Sequence, residues 1–289
     1  MFFLLLFLYL ALFAGTISWL RWRRKTRWPF KEGDRLLRGP GEGLRRRLLE
    51  LEERLLTVMV GTMIASTGVG AGSVQVSKLL GIPASTAGLV ALVAILLVTL
   101  LGVGWAVRLW QERANCYLGW FGERITAEKL MPLLAQGYFV FHDVPGEPGK
   151  RGFNLDHVVV GPTGVTVVET KTRRKGNARP GFKDHEVVFD GSYLDWPWGR
   201  DRHGIEQALS EAEWLRKWIA GCTGLSVPVK AVLSLPGWYV REAPSRELRV
   251  VNPGFLPDAI RGRGDPVLTA HQVDLLRRQL DQRCRDVEE

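Results

Sequence analysis

Cysteine is scarce in this chain: three in 289 residues, Cys116, Cys222 and Cys284, far apart and odd in number. That excludes a disulfide framework and a thiolate zinc spacing, and a reducing compartment is the simplest account. Histidine is nearly as rare, and the five present form no His-Glu-x-x-His pattern, which excludes a helix-borne zinc site of that kind. No serine or cysteine has a local setting that would make it a nucleophile, and no repeat stands out. A Gly-Lys at 149–150 invites a phosphate-binding loop, but the required earlier glycine position is Val144 and no Ser or Thr follows Lys150. Carboxylates and lysines are left to carry any chemistry.

Charge is missing from whole stretches of the first hundred residues. Residues 1–20 carry no charged side chain and are long enough to cross a bilayer. The basic run RWRRKTRW comes after this segment, the reverse of a secretory signal, so it reads as an uncleaved anchor with Arg21 onward in the cytoplasm. Trp19, Trp22 and Trp28 suit an interfacial belt. Residues 21–54 form a basic cytoplasmic segment in which GLRRRLLELEERLL reads as an amphipathic helix, with Glu50 able to pair with Arg54 and its arginines facing anionic lipid. Residues 55–107 read as a transmembrane hairpin. Its first arm, 55–74, is uncharged, and Gly61, Ala65, Gly68 and Gly72 suit close helix packing. Its second arm, 84–107, ends at Arg108, Trp110 and Arg113, and the loop 75–83 holds only Lys78 as a basic residue. The positive-inside rule then gives a three-span, multi-pass protein with a cytoplasmic C-terminal domain. The alternative for 55–74 is a re-entrant or interfacial segment, which leaves two crossings and puts that domain outside.

From residue 114 the composition turns globular, and the formal charge of +9 asks for an anionic partner, either nucleic acid or lipid headgroups. A helix is expected over 119–136, with Ile125, Leu130, Leu133 and Leu134 on one face, a kink at Pro132 and a stop at Gly137. Glu123 sits near its expected N-terminal turn, where an acid favours the helix dipole. A strand YFVFHDV follows, then a polar loop. EVVFDGSYLDW reads as a hairpin turning at Asp190-Gly191. A second helix over 204–220 has Ile205, Leu209, Ala212, Leu215 and Ile219 as its apolar stripe, with Gln207 off it. PVKAVLSLPG is expected as the closing strand. Residues 241–289 add a short strand and a charged, peripheral helix from His271.

The chain is organised around residues 152–176. Two β-rich runs flank Pro162-Thr163, bounded by Gly161 and Gly164, a hairpin signal. Asp156 lies in the first strand; Glu169 and Lys171 end the second on one face. If the turn closes evenly, opposed positions sum to 325 and Asp156 faces Glu169. Cross-strand Cβ atoms are about 4.5–5.5 Å apart, so two like charges there call for a neutraliser, naturally a divalent cation. The alternatives are a bulged turn that splits the acids between faces, and a surface hairpin of simple ion pairs. His157 points to the other face and reads as structural. Six basic residues between 171 and 183 suit either a phosphate backbone or a solvated loop.

Gly-Glu-Arg at 122–124, LDHVVVGPTGVTVVETK at 155–171 and Gln207 together resemble the NERD (nuclease-related) domain of the PD-(D/E)xK nuclease-like superfamily, over about residues 115–240. Asn154 stands where the family usually has Gln, and Thr170 is the middle residue of the Glu-x-Lys. The resemblance implies an α/β nuclease-like domain (114–240), its mixed central sheet flanked by helices and preceded by N-terminal transmembrane helices. It implies Mg²⁺ or Mn²⁺ held by Asp156, Glu169 and the Thr170 carbonyl, with Glu123 reaching in from its helix. Lys171 would contact the attacking water or the scissile phosphate, Gln207 would lie beside the site, and Arg173, Arg174 and Lys175 would guide the nucleic acid backbone. The expected function is a membrane-anchored, metal-dependent nuclease at the cytoplasmic face, with DNA preferred to RNA. Its rivals are a catalytically inactive, membrane-tethered nucleic-acid-binding or scaffold protein, and a lipid-binding adaptor. Intact Asp156, Glu169 and Lys171 argue against degeneracy.

Overall fold

The computed structural model describes residues 2–23, 35–146, 153–243, 245, 247–262 and 265–287. The basic run beyond Arg23 and most of the polar loop after Pro145 lie outside the described residues. Helix α1 (Phe2–Arg23) belongs to one compact unit; residues 37–285 form the second.

After the short strand β1 (Arg35–Leu37) come two long helices, α2 (Glu42–Leu79) and α3 (Ala84–Leu130). Each joins two segments that the sequence reading kept apart. α2 runs through the amphipathic stretch and the first arm of the hairpin; α3 carries the second arm without a break into the helix expected at 119–136. The physical reason is that 103–118 holds neither proline nor an uncompensated helix breaker beyond Gly104; its charges mark a change of solvent, which a helix backbone tolerates. The pair turns at residues 80–83, where Gly81 takes φ 66°. By length and composition α2 and α3 are the two helices, among the described residues, able to cross a membrane.

Their shared seam follows the helical repeat through Val58, Thr62, Ser66 and Gly70. Ser66 and Thr99 share a hydrogen bond of 3.1 Å, and side chains at Gly70 or Gly102 would overlap Ile95 or Thr62. The glycines expected to serve this purpose, Gly61, Gly68 and Gly72, instead have nothing within 4 Å of where a Cβ would stand. Leu56, Met59, Met63, Leu97 and Leu101 face outward and exposed, an apolar surface suited to lipid. At the charged end Arg47 meets Glu112 at 2.5 Å and Arg113 meets Glu52 at 2.6 Å, so the polar ends of both helices lie together.

α3 tightens at Pro132 into a 3₁₀ turn, Met131–Gln136, closed by Gly137 at φ 82°. Then β2 (Phe139–Pro145), β3 (Asn154–Gly161) and β4 (Gly164–Thr170) form an antiparallel meander. β5 (Glu186–Phe189), β6 (Leu194–Trp196) and β7 (Gly199–Asp201) lead to α4 (His203–Thr223), then β8 (Val229–Ser234), β9 (Tyr239–Glu242), β10 (Leu248–Val251), α5 (Leu256–Arg261), α6 (Ala270–Arg283) and β11 (Arg285–Val287). The central sheet runs β10-β8-β4-β3-β2 and is mixed, since β4, β8 and β10 are parallel. β8 is therefore an interior strand and not a closing one. A second sheet runs β7-β6-β5-β9. Asp190 accepts from the amides of Ser192 and Tyr193 at 2.8 and 2.7 Å, which fixes the expected Asp-Gly turn between β5 and β6.

One face of the central sheet packs Val158, Val160, Val167 and Leu233 against Ala208, Leu215 and Ile219 of α4 and against α6. The other packs Val159, Val168 and Val232 against Leu130, Leu133 and α5. α6 is not peripheral: Leu276 and Leu280 are fully buried, because its i, i+4 leucines form an apolar stripe under the charges.

The hairpin register decides the site. His157 opposes Val168, Val158 opposes Val167 and Gly161 opposes Gly164, so positions sum to 325 and the turn carries no bulge.

Candidate active site

Side chains alternate along β4, so Val165, Val167 and Glu169 face α4 while Thr166, Val168 and Thr170 face α3. At the strand's end Glu169 is 1% exposed. Its Oε1 lies 2.8 Å from Lys171 Nζ, which also donates to Gln207 Oε1 at 2.7 Å. Gln207 passes the chain on, Nε2 donating to Glu211 Oε1 at 2.8 Å. Glu211 thereby ends a chain of four side chains that leads from Glu169 through Lys171 and Gln207. Burial, with the Glu169 charge next, pushes Glu211 up to about 9, so it is protonated at neutral pH.

Sequence reading missed Glu211. The signal was available: it stands one turn after Gln207 and between Ala208 and Ala212, on the buried side of α4, where an acid has to have a partner.

Asp156 joins from β3. Its Oδ2 accepts the Thr170 amide at 2.7 Å, a bond across the hairpin just past the pairing of His157 with Val168. Burial, then Glu169, Glu123 and Glu211, raise its carboxyl well above the usual range against that amide's opposing pull. Glu123 completes the group from α3. Burial is the first cause of its rise to about 8, followed by Asp143 and Glu169, with Lys171 and the Gly41 amide working the other way. The helix-dipole role expected for Glu123 does not exist, since α3 is continuous there and has no N-terminus near it. Gly122 is what lets α3 in: a Cβ at that position would overlap the Thr172 hydroxyl. Thr170 turns its own hydroxyl away to Thr126 at 3.3 Å, and Thr126 pairs with Ser234 at 3.1 Å, pinning α3 to β4 and β8.

Behind Glu123 lies a second feature that the sequence did not reveal. Asp143 is buried and adopts φ 48°, a left-handed conformation that Asp and Asn tolerate best among residues with a side chain. Its carboxylate accepts from Arg38 at 3.1 Å, from Asn154 at 3.1 Å and from the Gly43 amide at 3.2 Å. Gly41, the N-cap of α2, has no side chain to offer, so Asp143 caps that helix from the sheet. Asn154, the departure from the family pattern, is employed here.

The basic run leaves β4 along the second sheet. Arg173 pairs with Asp201 at 2.6 Å and lies over Trp196; Arg174 donates to the Ala114 carbonyl at 3.1 Å; Lys175 lies over Trp238 at 5.7 Å. His157 is on the opposite face, fully buried, its Nδ1 2.8 Å from that of His142. Burial holds both imidazoles neutral, His142 down to about 4.

Among the described residues no group of three or more His, Cys, Asp or Glu is arranged as a metal cage. In kind, however, the donors fit a hard divalent cation. All are carboxylate oxygens, Glu169 Oε2 and Glu211 Oε2 have no hydrogen-bond donor, and the raised proton affinities mark where positive charge is wanted.

Compared with known proteins, residues 118–236 match the family model of the nuclease-related domain, NERD. The mixed sheet flanked by helices, with Asp156 and Glu169-x-Lys171 on paired strands, fits the PD-(D/E)xK superfamily. No curated protein and no solved structure matches the chain.

Proposed function

We propose that this protein is a membrane-anchored, divalent-metal-dependent nuclease that cuts nucleic acid phosphodiester bonds at the cytoplasmic face, DNA ahead of RNA. The observation that carries the reading is the convergence of Asp156, Glu123 and Glu211 on Glu169, whose carboxylate pairs with Lys171. Asp156, Glu169 and the Thr170 carbonyl would hold Mg²⁺ or Mn²⁺, with Glu123 beside them. A bound divalent ion supplies Lewis-acid chemistry: it makes water acidic and offsets charge on the leaving oxygen.

The protein's own residues do the rest. Lys171 presents its ammonium to the attacking water or the scissile phosphate, and Gln207 fixes where that ammonium stands. Glu211 keeps a proton near Glu169, so that the cluster carries less negative charge until a cation arrives. Arg173, Arg174 and Lys175 lead the backbone to the site without reading sequence. For placement, we take α1 as a first span and α2 and α3 as the second and third, with the domain in the cytoplasm.

A second reading, an inactive tethered nucleic-acid-binding protein, is favoured by the engagement of Lys171, which is already held by Glu169 and Gln207. One assay separates the two. The full chain in detergent is incubated with labelled DNA or RNA and Mg²⁺ or Mn²⁺, beside Lys171→Ala and Glu169→Gln. Cleavage that needs metal and is lost in both variants supports the nuclease. Tight binding without cleavage in any of them supports the tether.

A further inference from the structure

A groove on the far side of the basic run, between β9, β10 and α5, encloses about 1250 Å³. That exceeds what a small metabolite needs and suits an extended ligand. Two aromatic rings in its lining are unusually open, Tyr239 at 61% and Phe255 at 64% exposed. Each offers a flat apolar face on which another ring can stack. The acids in the groove are already answered: Glu242 is gripped by Arg249 at 2.7 and 2.9 Å, and Asp258 by Arg261. Lys175 lines the same groove, and its wall is tied to the basic run, since the Trp238 indole donates to the Arg173 carbonyl at 3.3 Å.

We propose that this groove binds a single-stranded nucleic acid segment, its bases stacked on Tyr239 and Phe255 and its phosphates towards Lys175. A duplex hides its base faces, whereas an unpaired strand offers a ring to every aromatic platform. The run from Lys171 to Lys175 joins the carboxylate cluster to this groove, so the strand held here is the continuation of the strand presented for cleavage. The inference deepens the nuclease reading and rests on it for its purpose, though not for its measurement.

Binding is measured on the full chain in detergent with a chelator present, by anisotropy of a labelled oligothymidine and of a blunt duplex of equal length. The single strand should bind more tightly. Tyr239→Ala and Phe255→Ala should each weaken it about tenfold, the usual scale for one stacking partner, while Tyr239→Trp retains it. Both rings lie outside the buried core, so unchanged melting curves will show that the variants fold. Equal affinity for duplex and strand, or no effect of either alanine, overturns the groove. Cleavage with Mg²⁺ in the same preparations, against Glu169→Gln, reports on the nuclease separately. Strand binding that the alanines weaken, with no cleavage, keeps the groove and rejects the enzyme; cleavage with unaltered binding in both alanines does the reverse.

Discussion

Thr170 donates its main-chain amide to the Asp156 carboxylate at 2.7 Å, so the acid of β3 is held by the residue that follows the acid of β4. That bond fixes one oxygen of Asp156; on the nuclease reading the other would face the cation. Asp156→Asn keeps an acceptor for the amide but removes a charge from a crowded acidic site. We expect it to abolish metal-dependent cleavage while leaving the metal-free protein as stable as wild type, or more so. Metal binding to the folded state alone should stabilise wild type by roughly 2.7 kcal/mol at a hundredfold excess over Kd. Thermal unfolding with and without Mn²⁺ checks both; a variant that melts lower without metal and responds normally to it rejects the paired-acid site.

Glu211 gives a pH dependence of known sign. Its folded value is raised, to about 9, above the ordinary carboxyl value of 4.5, so its contribution is fully present below that ordinary value. It is lost progressively as pH rises through the folded value. Metal-free wild type should therefore melt at falling temperature between about pH 5 and 9, and Glu211→Gln should flatten that decline. An equally steep decline in the variant places the titration elsewhere.

The close approach of α3 to the end of β4 is testable at Gly122. Gly122→Ala forces its methyl into the Thr172 hydroxyl and should cost about 1–3 kcal/mol, as overpacking usually does. Adding Thr172→Ala should return part of that. If the double variant melts no higher than the single one, the two residues do not touch.

Topology can be read with thiol chemistry. Ser85→Cys, at the second residue of α3 beside the 80–83 turn, should react on intact cells with an impermeant reagent. Native Cys222, exposed on α4, should react only after permeabilisation. Cys284 is buried and cannot serve as the inside reporter. Labelling in the opposite sense reverses the membrane assignment.

Much of the centre was legible because local chemistry determined it. The Gly-Pro-Thr-Gly turn sets an even register, and that register alone puts Asp156 against Glu169. The stripe Ile205, Ala212, Leu215, Ile219 likewise named the inward face of α4. What was not legible depended on contacts distant in sequence. Glu211 could be placed on the buried side of α4 from its neighbours, but its partner Glu169 could not be named, since that acid comes from another element. Asp143 has no local reason for a left-handed backbone; Arg38 and Gly43, a hundred residues earlier, supply the reason. The fusion of the apolar arm with the domain helix escaped notice because a switch from lipid-facing to water-facing composition resembles a boundary, and the backbone does not register it.

That unbroken α3 behaves as a spacer of set length. From Val107, where the apolar arm ends, to Glu123 is sixteen residues of one helix, ~24 Å at 1.5 Å per residue. With the arm seated upright in a bilayer, the carboxylates would stand at about that height above the lipid. On the nuclease reading, only strands drawn into this thin layer would be within range, so the protein would sort its targets by where they are before any contact chooses what they are. One residue inserted between Arg113 and Gly119 would lengthen the spacer by only ~1.5 Å while turning the arm by about 100° relative to the domain, a change of bearing at nearly constant height.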